Sequence, residues 1–166
     1  YKEMTLKPAP ERKRQVACEK RSHTLPAKLF APIAISRYFP NVYYYSYDIK
    51  KDEIKLLNSY FKKYSIRGKA EVKDIRKAAF PKTDICLIFK TLDIIDDKGH
   101  KNASNIMENL RGKSKFIIVS FSIRTLSGKP MKNKRRQWFE SLLRALNYKY
   151  KLEFFENEIF YLIRKN

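Results

Sequence analysis

Short aromatic and β-branched runs alternate with amphipathic helical stretches along most of this chain, and that alternation restricts the fold more than any other feature. Residues 42–47, 84–89, 115–121, 150–155 and 158–163 carry the Val, Ile, Tyr and Phe content expected of strands, and residues 70–73 read as a short strand ending at Asp74. Between them, residues 53–64 place Ile54, Leu56, Leu57, Tyr60 and Phe61 on one helical face, with Asp52 positioned to cap it. Residues 104–111 and 134–146 read as further helices, and residues 32–40 as a short amphipathic helix stopped by Pro40. Gly68 reads as the end of the connection after residue 64. Strand–helix alternation implies a mostly parallel sheet covered on both faces. The last two runs are too close for a crossover and predict an antiparallel hairpin at the sheet edge.

Residues 1–30 read as a basic N-terminal arm, or the remnant of a helical accessory region, and residues 31–166 as the α/β domain. The 166-residue length suits one core, and a hydrophobic content of 43% argues against a disordered chain. Lys and Arg number 37 against 17 Asp and Glu, a formal net charge of +20. Glu does not rise with Lys as surface ion-pair networks require, so a polyanionic partner accounts for the imbalance better. Cys18 and Cys86 form no metal-ligand pattern, and Cys86 reads as a small core residue, so no metal is expected. His23 and His100, the only histidines, are expected in polar loops. The chain lacks a membrane-length apolar run and a signal-peptide pattern at its start, so no membrane partner and a reducing, cytoplasmic location are expected.

In open α/β sheets, ligands sit at the carboxyl ends of the strands. Three predicted strand ends carry polar groups: Asp48-Ile49, Asp74-Ile75 and Phe89-Lys90-Thr91-Leu92. A carboxylate at such an end can accept from ribose hydroxyls, but an Asp after a strand is also a common helix N-cap.

The segment Phe121-Ser122-Ile123-Arg124-Thr125-Leu126-Ser127-Gly128-Lys129, then Trp138-Phe139-Glu140-Ser141 and a closing strand, resembles the end of the aminoglycoside-resistance 16S rRNA (guanine-N7) methyltransferases. Tyr47-Asp48-Ile49 and Lys90-Thr91-Leu92 resemble two further segments of that family. The resemblance covers residue 32 onward. It implies a Rossmann-like class I methyltransferase fold, S-adenosylmethionine as cofactor, and 16S rRNA in the 30S subunit as partner, with a monomeric enzyme. By position it implies that Asp48, Ile49, Asp74, Ile75, Phe89, Lys90 and Leu92 line the cofactor pocket. Arg124, Ser127, Lys129, Lys132, Lys134, Arg135 and Arg136 would meet RNA, with Phe121 a stacking platform or strand core. Guanine N7 carries a lone pair and needs no deprotonation, so catalysis would rest on placement and no catalytic base is expected.

The chain departs from the family in two places. The family begins its domain with a strand and a glycine loop, yet the four glycines here are Gly68, Gly99, Gly112 and Gly128. No strand is legible between residues 28 and 32, so the first strand and glycine loop are expected to be missing. The family's histidine-containing cofactor segment is matched only by His23 and Thr24, so no arginine role is transferred. The alternative is a catalytically inactive RNA-binding protein on the same fold.

Overall fold

The computed structural model describes residues 15–20, 25–39, 41–96, 99–125 and 127–165, with side-chain surroundings from Pro32 onward. In chain order the elements are β1 (Gln15–Lys20), α1 (Leu25–Tyr38), β2 (Tyr43–Asp48), α2 (Lys51–Lys63), β3 (Gly68–Val72), β4 (Thr83–Phe89), α3 (Leu92–Ile95), α4 (Lys101–Leu110), β5 (Ser114–Ser122), α5 (Gln137–Ala145), β6 (Tyr148–Phe155) and β7 (Glu158–Lys165). The strands form one seven-stranded sheet in the order β3-β2-β1-β4-β5-β7-β6. Strands β1 to β5 pair in parallel, and β7 runs antiparallel between β5 and β6. This is the doubly wound order with a C-terminal antiparallel hairpin, the class I methyltransferase architecture the resemblance implies.

One expectation is corrected. The first strand is not missing: Gln15–Lys20 lies at the sheet's centre, between β2 and β4, inside the segment read as a basic arm. It escaped notice because only Val16, Ala17 and Cys18 are apolar, flanked by Gln15 and by Glu19-Lys20. Central parallel strands normally read as longer aliphatic runs. Residues 1–14 and 21–24, including His23, lie outside the described residues.

Each face of the sheet buries its own core. On one side, Ile54, Leu57 and Phe61 of α2 pack on Tyr44, Ala70 and Leu87, with Ile33 and Ile35 of α1 beside them. On the other, Ala103, Ile106, Met107 and Leu110 of α4 and Phe139 and Leu143 of α5 cover Cys86, Ile88, Ile117, Val119, Phe121 and Tyr161. The helical spacings i, i+3, i+4 and i+7 produce both stripes.

Three local readings also change. Helix α1 runs well beyond the short stretch expected and contains Pro32 internally, which removes one helical donor without ending the helix. Asp52 sits in the first turn of α2 rather than at its N-cap, which is Lys50. Gly68 begins β3 rather than ending a loop. A Cβ there would fall 2.2 Å from the Tyr44 carbonyl oxygen, so only glycine allows β3 to approach β2 this closely.

Candidate functional site

The parallel strands end level with one another: Glu19 lies opposite both Tyr47 and Ile88, and Lys20 opposite Phe89. This sets the residues following β2, β3, β4 and β5 along one rim of the sheet.

Asp48 closes β2 with its side chain buried (4% exposed), and the next residue, Ile49, is exposed. The Lys50 N–H donates to Asp48 Oδ1 at 2.9 Å, and the Lys73 N–H donates to the Asp48 carbonyl at 2.9 Å. Asp74 follows β3. The Arg76 N–H and guanidinium both donate to its carboxylate, the shortest contact being Nη2 to Oδ2 at 2.6 Å. Ile75 turns into the core at 2% exposure. The Tyr47 ring lies under the Lys73 ammonium at 4.8 Å, and burial, aided by Glu71, pushes its phenol up to about 12.

After β4 the backbone turns sharply. Lys90 takes a left-handed conformation (φ 51°), and its N–H donates to the Ser120 carbonyl at 2.9 Å. Lys90 Nζ pairs with Glu158 Oε1 at 2.7 Å, while the Ser120 hydroxyl donates to Glu158 Oε2 at 2.7 Å. Glu158, the first residue of β7, therefore holds the β4 turn, a role the sequence did not suggest. Leu92 is fully buried in the core. Like Ile75, it is a core side chain.

The segment after β5 folds back on itself. Arg124 bridges Pro130, the Thr125 N–H donates to the Lys129 carbonyl at 2.9 Å, and Gly128 supplies the left-handed turn (φ 80°). Arg124 Nη1 donates to the Gly128 carbonyl at 3.0 Å. Arg124, Ser127, Lys129, Lys132 and Lys134 are all exposed.

Two of the expected RNA contacts also have acidic partners within the protein. Arg135 forks onto Glu140, Nε to Oε1 at 2.8 Å and Nη2 to Oε2 at 2.5 Å. Arg136 Nη2 donates to Asp93 Oδ2 at 3.0 Å and to the Ser122 carbonyl at 2.8 Å, and its guanidinium lies 5.3 Å from the Phe121 ring centre. It thus joins the segments after β4 and β5. Phe121 is fully buried, edge-on to Trp138, Phe139 and Tyr161, so it is strand core and not a platform. His100 lies in the connection between α3 and α4, as expected, and there its Nδ1 meets Asp96 Oδ2 and its ring stacks on Trp138 with centroids 4.0 Å apart.

Glu140 is the other residue whose role the sequence left unread. It is 4% exposed, and it accepts from Arg135 and from the Tyr150 and Tyr161 hydroxyls, each 3.1 Å away. The Arg135 fork holds its carboxyl below the usual carboxylate range, against the opposing effect of burial. Burial pushes the Tyr161 phenol up to about 12, so it stays a neutral donor to Glu140 while accepting the Arg136 N–H at 2.9 Å.

The family model for ribosomal RNA methyltransferases of the FmrO type matches residues 3–148, most of the chain and all of the rim except the β6–β7 hairpin. The chain belongs to the FmrO ribosomal RNA methyltransferase family. Among solved structures, this FmrO-family chain is similar to an rRNA methylase from Escherichia coli (17% identity, TM-score 0.68, covering 92% of this chain and 57% of that one). It is similar to the 16S rRNA methylase RmtB (21%, 0.70, 92% and 56%). It is also similar to the 16S rRNA methyltransferase RmtF in complex with S-adenosyl-L-homocysteine (16%, 0.70, 94% and 57%). At these identities the likeness establishes the fold. The chain spans a little over half the length of each of the three. No curated protein matches it in sequence.

Proposed function

We propose that this chain carries the S-adenosylmethionine-dependent methyl-transfer domain of an rRNA methyltransferase acting on 16S rRNA in the small subunit, at guanine N7. The observation that carries the reading is the buried Asp48 carboxylate at the end of β2, on the rim of a 3-2-1-4-5-7-6 sheet whose family modifies ribosomal RNA. The donor set fits the cofactor. A carboxylate suits ribose hydroxyls, Asp74 suits an adenine amino group, and Phe89 with the Lys90 turn closes the side nearest β5. When bound, S-adenosylmethionine supplies an electrophilic methyl group.

The chain's own contribution is placement. Asp48 fixes the ribose end, and the Lys90–Glu158–Ser120 cluster holds the β4 turn rigid beside the acceptor. Neutralising Lys90 with Glu158 keeps an unpaired ammonium away from a cationic sulfonium. Guanine N7 attacks through its lone pair, so no side chain has to accept a proton first. The exposed Arg124, Lys129, Lys132 and Lys134 supply phosphate contacts, which position RNA without reading its sequence.

One observation favours the alternative of an inactive RNA-binding relative. No glycine occurs before Gly68, so the connection after β1 lacks the residue that lets a backbone approach a cofactor closely. Calorimetric titration with S-adenosylmethionine separates the two. Micromolar binding, abolished in Asp48→Ala and followed by methyl transfer to 30S subunits, is the expected result. Absence of heat with folded protein overturns the enzyme reading.

A further inference from the structure

Arg136 stands in the basic run after β5, yet its surroundings differ from those of its neighbour. Its side chain is 12% exposed, against 56% for Arg135. The guanidinium reaches three segments at once. Nη2 donates to Asp93 Oδ2 at 3.0 Å in α3, and to the Ser122 carbonyl at 2.8 Å where β5 ends. Nη1 donates to the Lys134 carbonyl at 3.3 Å, inside the run that carries Lys129, Lys132 and Lys134. The buried Phe121 ring lies against it. The main chain is fixed as well, because the Arg136 N–H donates to the Tyr161 hydroxyl, which in turn bonds to Glu140.

A planar, forked cation suits this junction. Lysine carries its N–H groups on one nitrogen, which cannot reach acceptors on three separate segments, whereas a guanidinium presents its donors in fixed, divergent directions. The bond to Asp93 is the informative one. Asp93 is 39% exposed, and an ion pair open to water adds little to stability. Helix α3 has its own anchors, the buried Leu92 and Ile95. The contact is therefore poorly suited to holding the fold together. It is well suited to fixing the distance between the segment after β4 and the loop after β5.

We propose that Arg136 is a positioning residue for methyl transfer: it sets where RNA held by the loop after β5 stands relative to the pocket after β4. The proposal rests on the reading that the chain methylates RNA, and deepens it. It moves Arg136 from the phosphate contacts to the link between those contacts and the acceptor. A reaction that works by placement is sensitive to such a link, since a displacement of about 1 Å can cost about 100-fold in rate.

Steady-state methyl transfer to 30S subunits, with urea unfolding of each protein, tests this in Arg136→Lys and Asp93→Ala. Both are expected to lower kcat about 10- to 100-fold. KM for 30S subunits and affinity for S-adenosylmethionine should stay close to the parent's, and Asp93→Ala should unfold like the parent. Arg136→Gln, which loses a charge, should leave the salt dependence of RNA binding unchanged. Parent-like kcat in either of the first two variants overturns the proposal. So does a raised KM with unchanged kcat, or a salt slope about 1 lower in Arg136→Gln, since either result makes the guanidinium a phosphate contact. Calorimetry with S-adenosylmethionine on the parent reads the enzyme assignment separately. A parent that binds no cofactor and transfers no methyl group loses both readings; a parent that does both, with variants that match it, loses only the positioning role.

Discussion

Glu140 shows how a residue of the C-terminal motif can be an anchor. Its two carboxylate oxygens collect Arg135, Tyr150 and Tyr161, so one buried group ties α5 to β6 and β7. Glu140→Ala would leave two tyrosine hydroxyls without their acceptor and is expected to lower stability by about 2–4 kcal/mol in urea unfolding. Because the folded carboxyl is held below its ordinary value, its contribution is complete above that value, near pH 4.3 or roughly so. It is lost as pH falls through the lower, folded value. Glu140→Gln should therefore flatten the decline in stability below about pH 4 while leaving the neutral-pH fold intact. Urea midpoints across an acid pH series check both the sign and the window.

Among the elements, the approach of β3 to β2 depends on a missing atom. Gly68→Ala drives a methyl into the Tyr44 carbonyl, a backbone group that cannot rotate aside. We expect a loss of roughly 1–3 kcal/mol, visible as a lower thermal midpoint with the α4 and α5 side least disturbed in hydrogen exchange. The same strand illustrates what could be read from the chain in advance. Strands β2 and β4 to β7 announce themselves because each concentrates β-branched and aromatic residues between polar breaks, and the spacing of the last two runs implied their hairpin; β3, with Val72 alone of that kind, was legible only from its place between Gly68 and Asp74. Strand β1 did not, because its place between two neighbours comes from partners remote in sequence and not from its own six residues. The four-residue α3 was missed for a similar reason: Thr91 and Leu92 are fully buried by tertiary packing, not by a periodic pattern. At the rim, the strand-end positions of Asp48 and Asp74 were legible from residue order. The partners of Arg135, Arg136 and Lys90 were not. Each is engaged by an acid from a part of the chain, or an orientation, that no local spacing encodes.

For the whole molecule, charge is the dominant quantity. On the proposed reading, a net +20 on 166 residues would make affinity for RNA a strong function of salt, with most of it carried by released counterions. Substituting Lys129, Lys132 and Lys134 together by Ala should lower the slope of log affinity against log salt by about 2 to 3. The forked Arg135 and Arg136 should contribute less to that slope than their number suggests, because their partners already neutralise them. Salt titrations of RNA binding distinguish the two groups. The central position of β1 has a consequence for how such a chain comes into being. Val16 lies between Tyr44 and Ile85, so the strand can gain its second neighbour only after a long stretch of chain has been synthesised. Parallel pairing over that separation is slow, and a nascent chain would carry an unsatisfied strand edge beside a surface of like charge.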